Sequence, residues 1–226
     1  MGISIKEEIT MNKSNLAMAA NMDCLDNPFK RLPVCLCLDI SASMISNDKI
    51  DQLNKGMALF YKSIEEDEIT ANMVEIAVVT FGEFPPAAKC VRDFSLVDFQ
   101  QTPPVLNASG YTPLGEGVNL ALDLIEKRKD RYRTVGIDYF CPWLIIMSDG
   151  SPEGHSPAEL VRAQQRVAKA TANKKIITLT ISIGNDDNPE LSKMGGNTLL
   201  HLKEDGISNF FIQLYKSISD YLTPGE

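Results

Sequence analysis

Residues 35–44 of the sequence read CLCLDISASM. An apolar run ends abruptly at Asp39, and two hydroxyl side chains, Ser41 and Ser43, follow at alternate positions. The nearly all-apolar run Val34–Asp39 is typical of a strand that is covered on both faces in a parallel sheet. Two interpretations of its polar end are open: Asp39 and the serines cap the next helix, or they begin a metal site.

The composition predicts an ordinary globular protein with one domain. Of the 226 residues, 44% are hydrophobic and 23% are charged, which is enough to bury a full core. A formal net charge of -8 and a pI near 4.9 disfavour non-specific binding to nucleic acid or to an anionic membrane, because both reward clustered Lys and Arg. An acidic chain is better suited to holding a cation.

The sequence predicts a cytoplasmic location. No stretch approaches the roughly 18 apolar residues of a membrane span, and the first residues, MGISIKEEITMNKSNLAMAANM, lack the apolar core of a signal peptide. The five cysteines are an odd number without metal-finger spacing, which indicates reduced thiols. Cys35 and Cys37 are expected to face the same side of a strand and to pack as small hydrophobic residues.

Strands alternate with helices along the chain. Helices are predicted over residues 46–64, 112–129, 157–173 and 208–222, with a short segment at 189–194. Further strands are predicted over residues 73–81, 88–96, 143–149, 174–184 and 198–202. This order implies an α/β fold: a doubly wound, mostly parallel sheet with one antiparallel edge strand at 88–96 and helices on both faces.

Local signals refine the helix ends. Ser46 or Asn47 is a natural cap for the first helix, and Pro113 suits the first turn of the second. The basic run Lys127–Arg133 is interpreted as a solvated helix end, with a partner surface as the alternative.

Polar side chains from three loops are expected to meet at one edge of this sheet. In an open α/β sheet the ligand crevice lies at the carboxyl ends of the strands, where Asp39, Ser41 and Ser43 follow the first strand and Asp149 follows the fourth. Thr112 stands in the loop between them. Carboxylates and hydroxyls suit a hard cation such as Mg²⁺. Because only two of these ligands are carboxylates, the charge of the ion is poorly neutralised, which favours binding of an anionic oxygen from another molecule. Taken singly, each residue could instead be a cap or a turn former.

This arrangement resembles the metal-ion-dependent adhesion site (MIDAS) of von Willebrand factor A (VWA) domains. In that family Asp-x-Ser-x-Ser, a distant Thr and a distant Asp hold a divalent ion, and Asp39, Ser41, Ser43, Thr112 and Asp149 match these positions. The segments SGYTPLGEGVNLAL and GIDYFCPWLIIMSDGSP look like those of small bacterial VWA proteins of the tellurium-resistance TerY and YegL type. The resemblance covers roughly residues 28–222.

Two positions differ from the family pattern or extend it. Ala42 stands where many relatives have Gly, a change that leaves every matched ligand in place. Glu153 lies where relatives often carry an acidic side chain, and we do not predict it to be a ligand.

The resemblance implies a function as well as a fold. It implies an N-terminal extension at residues 1–27 and a VWA domain at residues 28–226 that acts as a cytoplasmic protein-interaction module. The metal would be Mg²⁺, with Mn²⁺ or Ca²⁺ as alternatives, and it would take a Glu or Asp carboxylate of a partner protein. The implied setting is a stress-response or tellurium-resistance type assembly, in which a kinase or phosphatase of the same system is a candidate partner.

Two alternatives to this function remain. The same ion could serve a metal-dependent hydrolase or phosphatase, but such an enzyme needs a base or nucleophile nearby. The sequence offers no Cys-His pair near the three loops, and His155 and His201 are isolated, so we predict no catalytic residues and no enzyme activity. In the other alternative the site is degenerate, and contacts run through the helical faces or the N-terminal extension.

Overall fold

A six-stranded sheet forms the centre of the fold in the computed structural model, which describes residues 27–82, 85–97, 102–154, 156–184, 188–195 and 199–223. The strands are β1 Leu32–Asp39, β2 Val74–Phe81, β3 Ala88–Leu96, β4 Trp143–Ser148, β5 Ile177–Ile183 and β6 Leu199–Leu202. They are ordered β3-β2-β1-β4-β5-β6. Every neighbouring pair is parallel except β2 and β3. The predicted mostly parallel sheet with one antiparallel edge strand is confirmed.

Helices cover both faces of the sheet, as predicted. They are α1 Lys49–Glu65, α2 Glu68–Met73, α3 Leu114–Val135, α4 Pro157–Ala172, α5 Pro189–Gly195 and α6 Ile207–Leu222. Helices α1 and α6 pack on one face, and α3, α4 and α5 pack on the other. None of the helices in the described segments has the length and apolar content to cross a membrane.

Strand β1 supplies both apolar layers. Successive side chains of a strand point to opposite faces, so Leu36 and Leu38 join the layer under α1 and α6, whereas Cys35 and Cys37 join the other layer. Both cysteines are fully buried, and burial raises the pKa of each thiol well above its usual value. The prediction that they pack as small hydrophobic residues is confirmed.

The first helix begins later than its sequence suggests. The chain forms a short 3-10 segment, Ala42–Asp48, before α1 starts at Lys49. Within that segment Ser46 is extended, with ψ 141°, and Asn47 is left-handed, with φ 56°. Neither is the residue before the helix, which is Asp48, also left-handed and without a side-chain capping bond. The predicted cap at Ser46 or Asn47 is therefore wrong, because both residues belong to the 3-10 segment that precedes the helix.

The basic run at the end of α3 is only partly solvated. The helix continues to Val135, and Lys129 and Tyr132 within it are buried. Arg128 forms an ion pair with Glu75 of β2, 2.6 Å between Nη2 and Oε1. The interpretation of Lys127–Arg133 as a solvated helix end is therefore wrong for Lys129 and Tyr132, which are buried, and for Arg128, which pairs with a buried carboxylate.

Some predictions fall outside the described residues or stay untested. Residues 1–26 of the predicted N-terminal extension, His155, and the first residue of the predicted strand at 198–202 are outside them. The boundary at residue 28 stays a prediction, although Asn27 is already tied to the fold through a 2.9 Å hydrogen bond from its side chain to the carbonyl of Asn72.

Gly115 allows α3 and α4 to approach closely. A Cβ at this position would lie 2.5 Å from the backbone nitrogen of Leu160 and 2.6 Å from its Cα. Because backbone cannot rotate away as a side chain can, we expect Gly115→Ala to destabilise the fold by about 1–3 kcal/mol and to lower the midpoint of thermal unfolding. Gly206→Ala is the matched control, since nothing lies within 4 Å of its Cβ position. Equal midpoints for the two variants would contradict this packing argument.

Candidate metal site

The candidate site lies at the carboxyl ends of β1 and β4. These strands are parallel neighbours, and Leu38 pairs with Met147, so Asp39 and Ser148 leave the sheet side by side. Three loops lie near these strand ends. The first loop, residues 40–48, joins β1 to α1; the second loop, residues 102–113, precedes α3; and the third loop, residues 149–154, follows β4. The strand order reverses between β1 and β4, so these residues lie at the switch point where a ligand crevice is expected.

Backbone hydrogen bonds join the three loops. The amide of Ala42 donates to the carbonyl of Gly110 at 3.1 Å, which ties the first loop to the second. Thr112 and Glu153 exchange both of their backbone hydrogen bonds, at 3.0 and 3.2 Å, which ties the second loop to the third. The side chain of Glu153 is exposed, and its link to Thr112 runs through the backbone. The loops therefore form one connected rim around the sheet edge.

Asp39 is a fully buried carboxylate held by neutral donors. Its Oδ1 accepts a 2.7 Å hydrogen bond from the amide of Ser41, and its Oδ2 accepts one from the Ser148 hydroxyl. Burial raises the pKa of Asp39 to about 6, against the lowering effect of the hydrogen bonds from Ser148 and Ser41, and the charge of Asp149 raises it further. Among the described residues no basic side chain pairs with this carboxylate.

The two serines connect the first loop to the second carboxylate. The hydroxyls of Ser41 and Ser43 are 2.9 Å apart, and the Ser43 hydroxyl donates to Oδ1 of Asp149 at 2.6 Å. Neither the 3-10 segment nor α1 has a side-chain capping bond at its start. The alternative in which these serines are helix caps is therefore wrong, because their oxygens are directed at one another and at a carboxylate.

Thr112 is a mostly buried residue whose hydroxyl is left free by the fold. The residue is 5% exposed, and its backbone groups bond to Glu153 and Leu114. Within the described part of the chain its hydroxyl makes no hydrogen bond. The residue that precedes α3 is Pro113, so the alternative in which Thr112 caps this helix is wrong.

Lys49 is the main residue of this region that the sequence interpretation missed. Its ammonium donates to Oδ2 of Asp149 at 2.7 Å, although the two residues are separated by 100 positions. One local signal was available: Lys49 is the first residue of α1, and the positive end of the helix dipole disfavours a cation there. The partner carboxylate itself could not be found without the fold.

Asn188 fixes the third loop from outside. Its side-chain amide donates to the carbonyl of Gly150 at 2.5 Å, and its Oδ1 accepts from the amide of Leu191 at 2.9 Å. The residue is buried and precedes α5 directly. Asn188 therefore anchors the turn after Asp149 to the first turn of a helix, which limits the movement of that carboxylate.

The donor set fits a hard divalent cation. Two carboxylates and three hydroxyls come from the end of β1 and the three loops, and the described residues contain no group of three or more His, Cys, Asp or Glu suited to a metal. Oxygen ligands without thiolate or imidazole are the set preferred by Mg²⁺, Ca²⁺ and Mn²⁺. The exposed Ser43 lies on the side of this cluster that is open to solvent.

Comparison with known proteins agrees with the topology. A sequence model described as the von Willebrand factor type A domain matches residues 34–217. The vWF domain of the type V pili tip protein Mfa5 from Porphyromonas gingivalis is 13% identical, with a TM-score of 0.67 over 87% of this chain and 98% of that chain. The pilus adhesin SpaC from Lactobacillus rhamnosus GG is 14% identical, with a TM-score of 0.66 over 86% of this chain and 31% of that chain.

A third solved structure is described with an occupied metal site. Proximal thread matrix protein 1 from the mussel byssus, "with zinc occupied MIDAS motif", is 16% identical, with a TM-score of 0.54 over 82% of this chain and 47% of that chain. At such identities these similarities show the fold alone. The chain spans nearly all of the Mfa5 domain but less than half of the other two proteins. No curated protein sequence matches this chain.

Proposed function

The chain belongs to the von Willebrand factor type A domain family, and on that premise we propose that it is a metal-dependent protein-interaction module. The observation that carries the proposal is the hydrogen-bonded chain from Ser41 through Ser43 to Asp149, which joins hydroxyls of the first loop to the carboxylate of the third. Side chains so arranged serve no capping role. Their oxygens are suited to act as ligands of a cation.

Five residues would hold the metal: Asp39, Ser41, Ser43, Thr112 and Asp149. Asp39 is fixed by Ser148 and by the Ser41 amide, and the Thr112 hydroxyl is free to bind. We propose Mg²⁺ as the physiological ion, with Mn²⁺ or Ca²⁺ as alternatives, because the donors are all oxygens. When bound, the ion would offer an open coordination position to a carboxylate oxygen of a partner protein.

The surface around the site supports contact with a protein. Ile45 in the first loop and Tyr111 in the second are large apolar side chains that are more than half exposed, 61% and 55%. Ile45 is two residues from Ser43 and Tyr111 is adjacent to Thr112, so exposed apolar side chains belong to the same loops as the proposed ligands. An acidic side chain of the partner would thus be captured within a partly apolar contact, which is typical of protein interfaces.

We propose a binding role rather than an enzymatic one. Hydrolysis would need a positioned base or nucleophile, and the groups bonded to the two carboxylates are serine hydroxyls, a backbone amide and the ammonium of Lys49. His201 lies on β6 and is exposed, away from these bonds. Two of the similar structures are named as a pilus tip domain and a pilus adhesin, which agrees with a binding role for this fold.

The proposed setting follows from the resemblance to TerY and YegL proteins. It is a cytoplasmic stress-response or tellurium-resistance type assembly, in which the partner offers a Glu or Asp carboxylate. A kinase or phosphatase of the same system is the proposed partner class. The strongly acidic composition supports a role that excludes nucleic acid and anionic membranes.

A pull-down with the full chain as bait tests this function. We expect partner capture in Mg²⁺, and loss of capture in EDTA and with Thr112→Val, which removes a hydroxyl that makes no hydrogen bond in the described fold. Thr134→Val is the matched control, because the Thr134 hydroxyl is exposed on α3 and bonds only to the carbonyl of Asp130. Capture that persists unchanged in EDTA would show that the interaction does not use the metal.

A further inference from the structure

Lys49 is an unusual lysine for its position in the fold. It is 9% exposed overall, and its ammonium lies 2.7 Å from Oδ2 of Asp149, whose side chain is fully buried. The other oxygen of the same carboxylate accepts the hydrogen bond from Ser43. Both oxygens of Asp149 are thus engaged, one by a hydroxyl and one by a cation that the chain itself supplies.

The location of this lysine is unfavourable without its partner. Lys49 is the first residue of α1, where the aligned peptide dipoles place positive charge and favour anions. A buried ammonium also loses hydration, which only a close and well-bonded counter-ion offsets. Pairing with Asp149 therefore offsets the unfavourable position of Lys49 at this end of α1.

We propose that Lys49 is an internal competitor for the metal site: its ammonium holds Asp149 in the metal-free protein and must release it before a divalent ion binds there. This inference rests on the proposed metal-binding function of the same site. The consequence is that binding needs a higher concentration of the metal ion, because the ion reaches Asp149 only by displacing the ammonium of Lys49. The free protein also keeps its fold without metal, because Asp149 is never left as an unpaired buried charge.

The charge of Lys49 also acts on a second carboxylate. Glu204, which precedes α6, accepts a 3.4 Å hydrogen bond from the side chain of Asn47, two residues before Lys49. A backbone hydrogen bond at Glu204 lowers the pKa of its carboxyl, and the charge of Lys49 contributes to the lowering. Displacement of Lys49 from Asp149 therefore need not leave the ammonium without a nearby anion.

Calorimetric titration with MgCl₂ tests the competition. We expect Lys49→Met, which keeps the length of the side chain and removes its charge, to bind Mg²⁺ about tenfold more tightly or better than the unchanged protein. Lys49→Arg keeps the charge and is expected to retain the weaker binding. Lys55→Met is the matched control, because Lys55 is an exposed lysine of the same helix and its loss changes the net charge equally.

Thermal unfolding supplies a readout that does not depend on a partner. In EDTA, Lys49→Met is expected to unfold at a lower temperature than the unchanged protein, because Asp149 loses its counter-ion. Mg²⁺ should restore the loss, so the shift caused by Mg²⁺ becomes larger in Lys49→Met than in the unchanged protein or in Lys55→Met. A stable variant with a large Mg²⁺ shift shows that folding is intact.

The outcomes separate this inference from the proposed function. Tighter Mg²⁺ binding by Lys49→Met supports the competition, including the case in which only this variant binds measurably. If the unchanged protein binds Mg²⁺ and Lys49→Met binds equally or more weakly, Lys49 positions Asp149 rather than competes for it, and the inference is overturned while the metal site stands. If neither protein binds Mg²⁺ although both are folded, both the inference and the proposed metal site are overturned.

Discussion

Asp39→Asn is expected to lower the affinity of the protein for Mg²⁺ by at least about 100-fold, because loss of the residues that merely orient a ligand already costs 10–100-fold. Asp39 is the buried carboxylate at the end of β1, and it has no cationic partner within the described residues. An asparagine keeps the shape and one acceptor oxygen but removes the charge. Calorimetric titration with MgCl₂ measures the change.

The same substitution should not destabilise the metal-free protein. Burial of the Asp39 charge is unfavourable, as the rise of its pKa to about 6 indicates, and the charge of Asp149 adds to the effect. The thermal midpoint of Asp39→Asn in EDTA is therefore expected to equal or exceed that of the unchanged protein. This combination, loss of metal without loss of stability, distinguishes a ligand from a structural residue.

Asp51→Asn is the control for Asp39→Asn. Asp51 is an exposed carboxylate in the first turn of α1, close in sequence but outside the hydrogen-bonded cluster. Its substitution changes the net charge equally and should leave Mg²⁺ affinity nearly unchanged. Mg²⁺ affinity that falls as much in Asp51→Asn as in Asp39→Asn would indicate that the ion responds to overall charge rather than to this site.

Glu75→Gln is expected to destabilise the fold by about 3–5 kcal/mol, because it leaves buried cationic side chains without their counter-ion. Glu75 on β2 is 2% exposed and accepts two 2.6 Å hydrogen bonds from the guanidinium of Arg128, in addition to one from the Tyr132 hydroxyl. The fully buried Arg31 lies 3.3 Å from the same carboxylate. Thermal unfolding in EDTA measures the effect.

A surface pair provides the comparison for Glu75→Gln. Asp93 and Lys127 form an ion pair at 3.7 Å with both side chains more than half exposed. Such pairs contribute about 0–1 kcal/mol, so Asp93→Asn should shift the midpoint little. A Glu75→Gln variant as stable as Asp93→Asn would mean that Arg31 and Arg128 find other partners or water, and that the buried network is not required for folding.

The strands were predictable because their signals are local. The nearly all-apolar run before Asp39 and its counterpart before Asp149 each indicate a strand buried on both faces, and both strands are present. A general rule of open α/β sheets then placed Asp39, Ser41, Ser43 and Asp149 at one edge. The hydrogen bonds from Ser43 to Asp149 and from Ser148 to Asp39 agree with that placement.

The errors arose where a distant carboxylate determined the local structure. The sequence of α3 shows a basic run that looks solvated, but Arg128 and Tyr132 bond to Glu75, which is more than 50 residues away. The start of α1 was placed too early, because the backbone is extended at Ser46 and left-handed at Asn47, and the pairing of Lys49 at that start with the distant Asp149 was not foreseen. In both cases a charged residue is buried, which local hydrophobicity cannot indicate.

The strands, the longer helices and the family could be predicted from the sequence, since periodicity, turn residues and motif spacing are local features of the chain, whereas the short helix α2 was not predicted. The hydrogen-bond partners of the two carboxylates were visible only in the tertiary structure. Lys49 donates to Asp149, 100 positions away, and Ser148 donates to Asp39, 109 positions away. The physical reason is that electrostatic partners are selected by distance in space and by exclusion of water, and both exist only after the sheet has assembled.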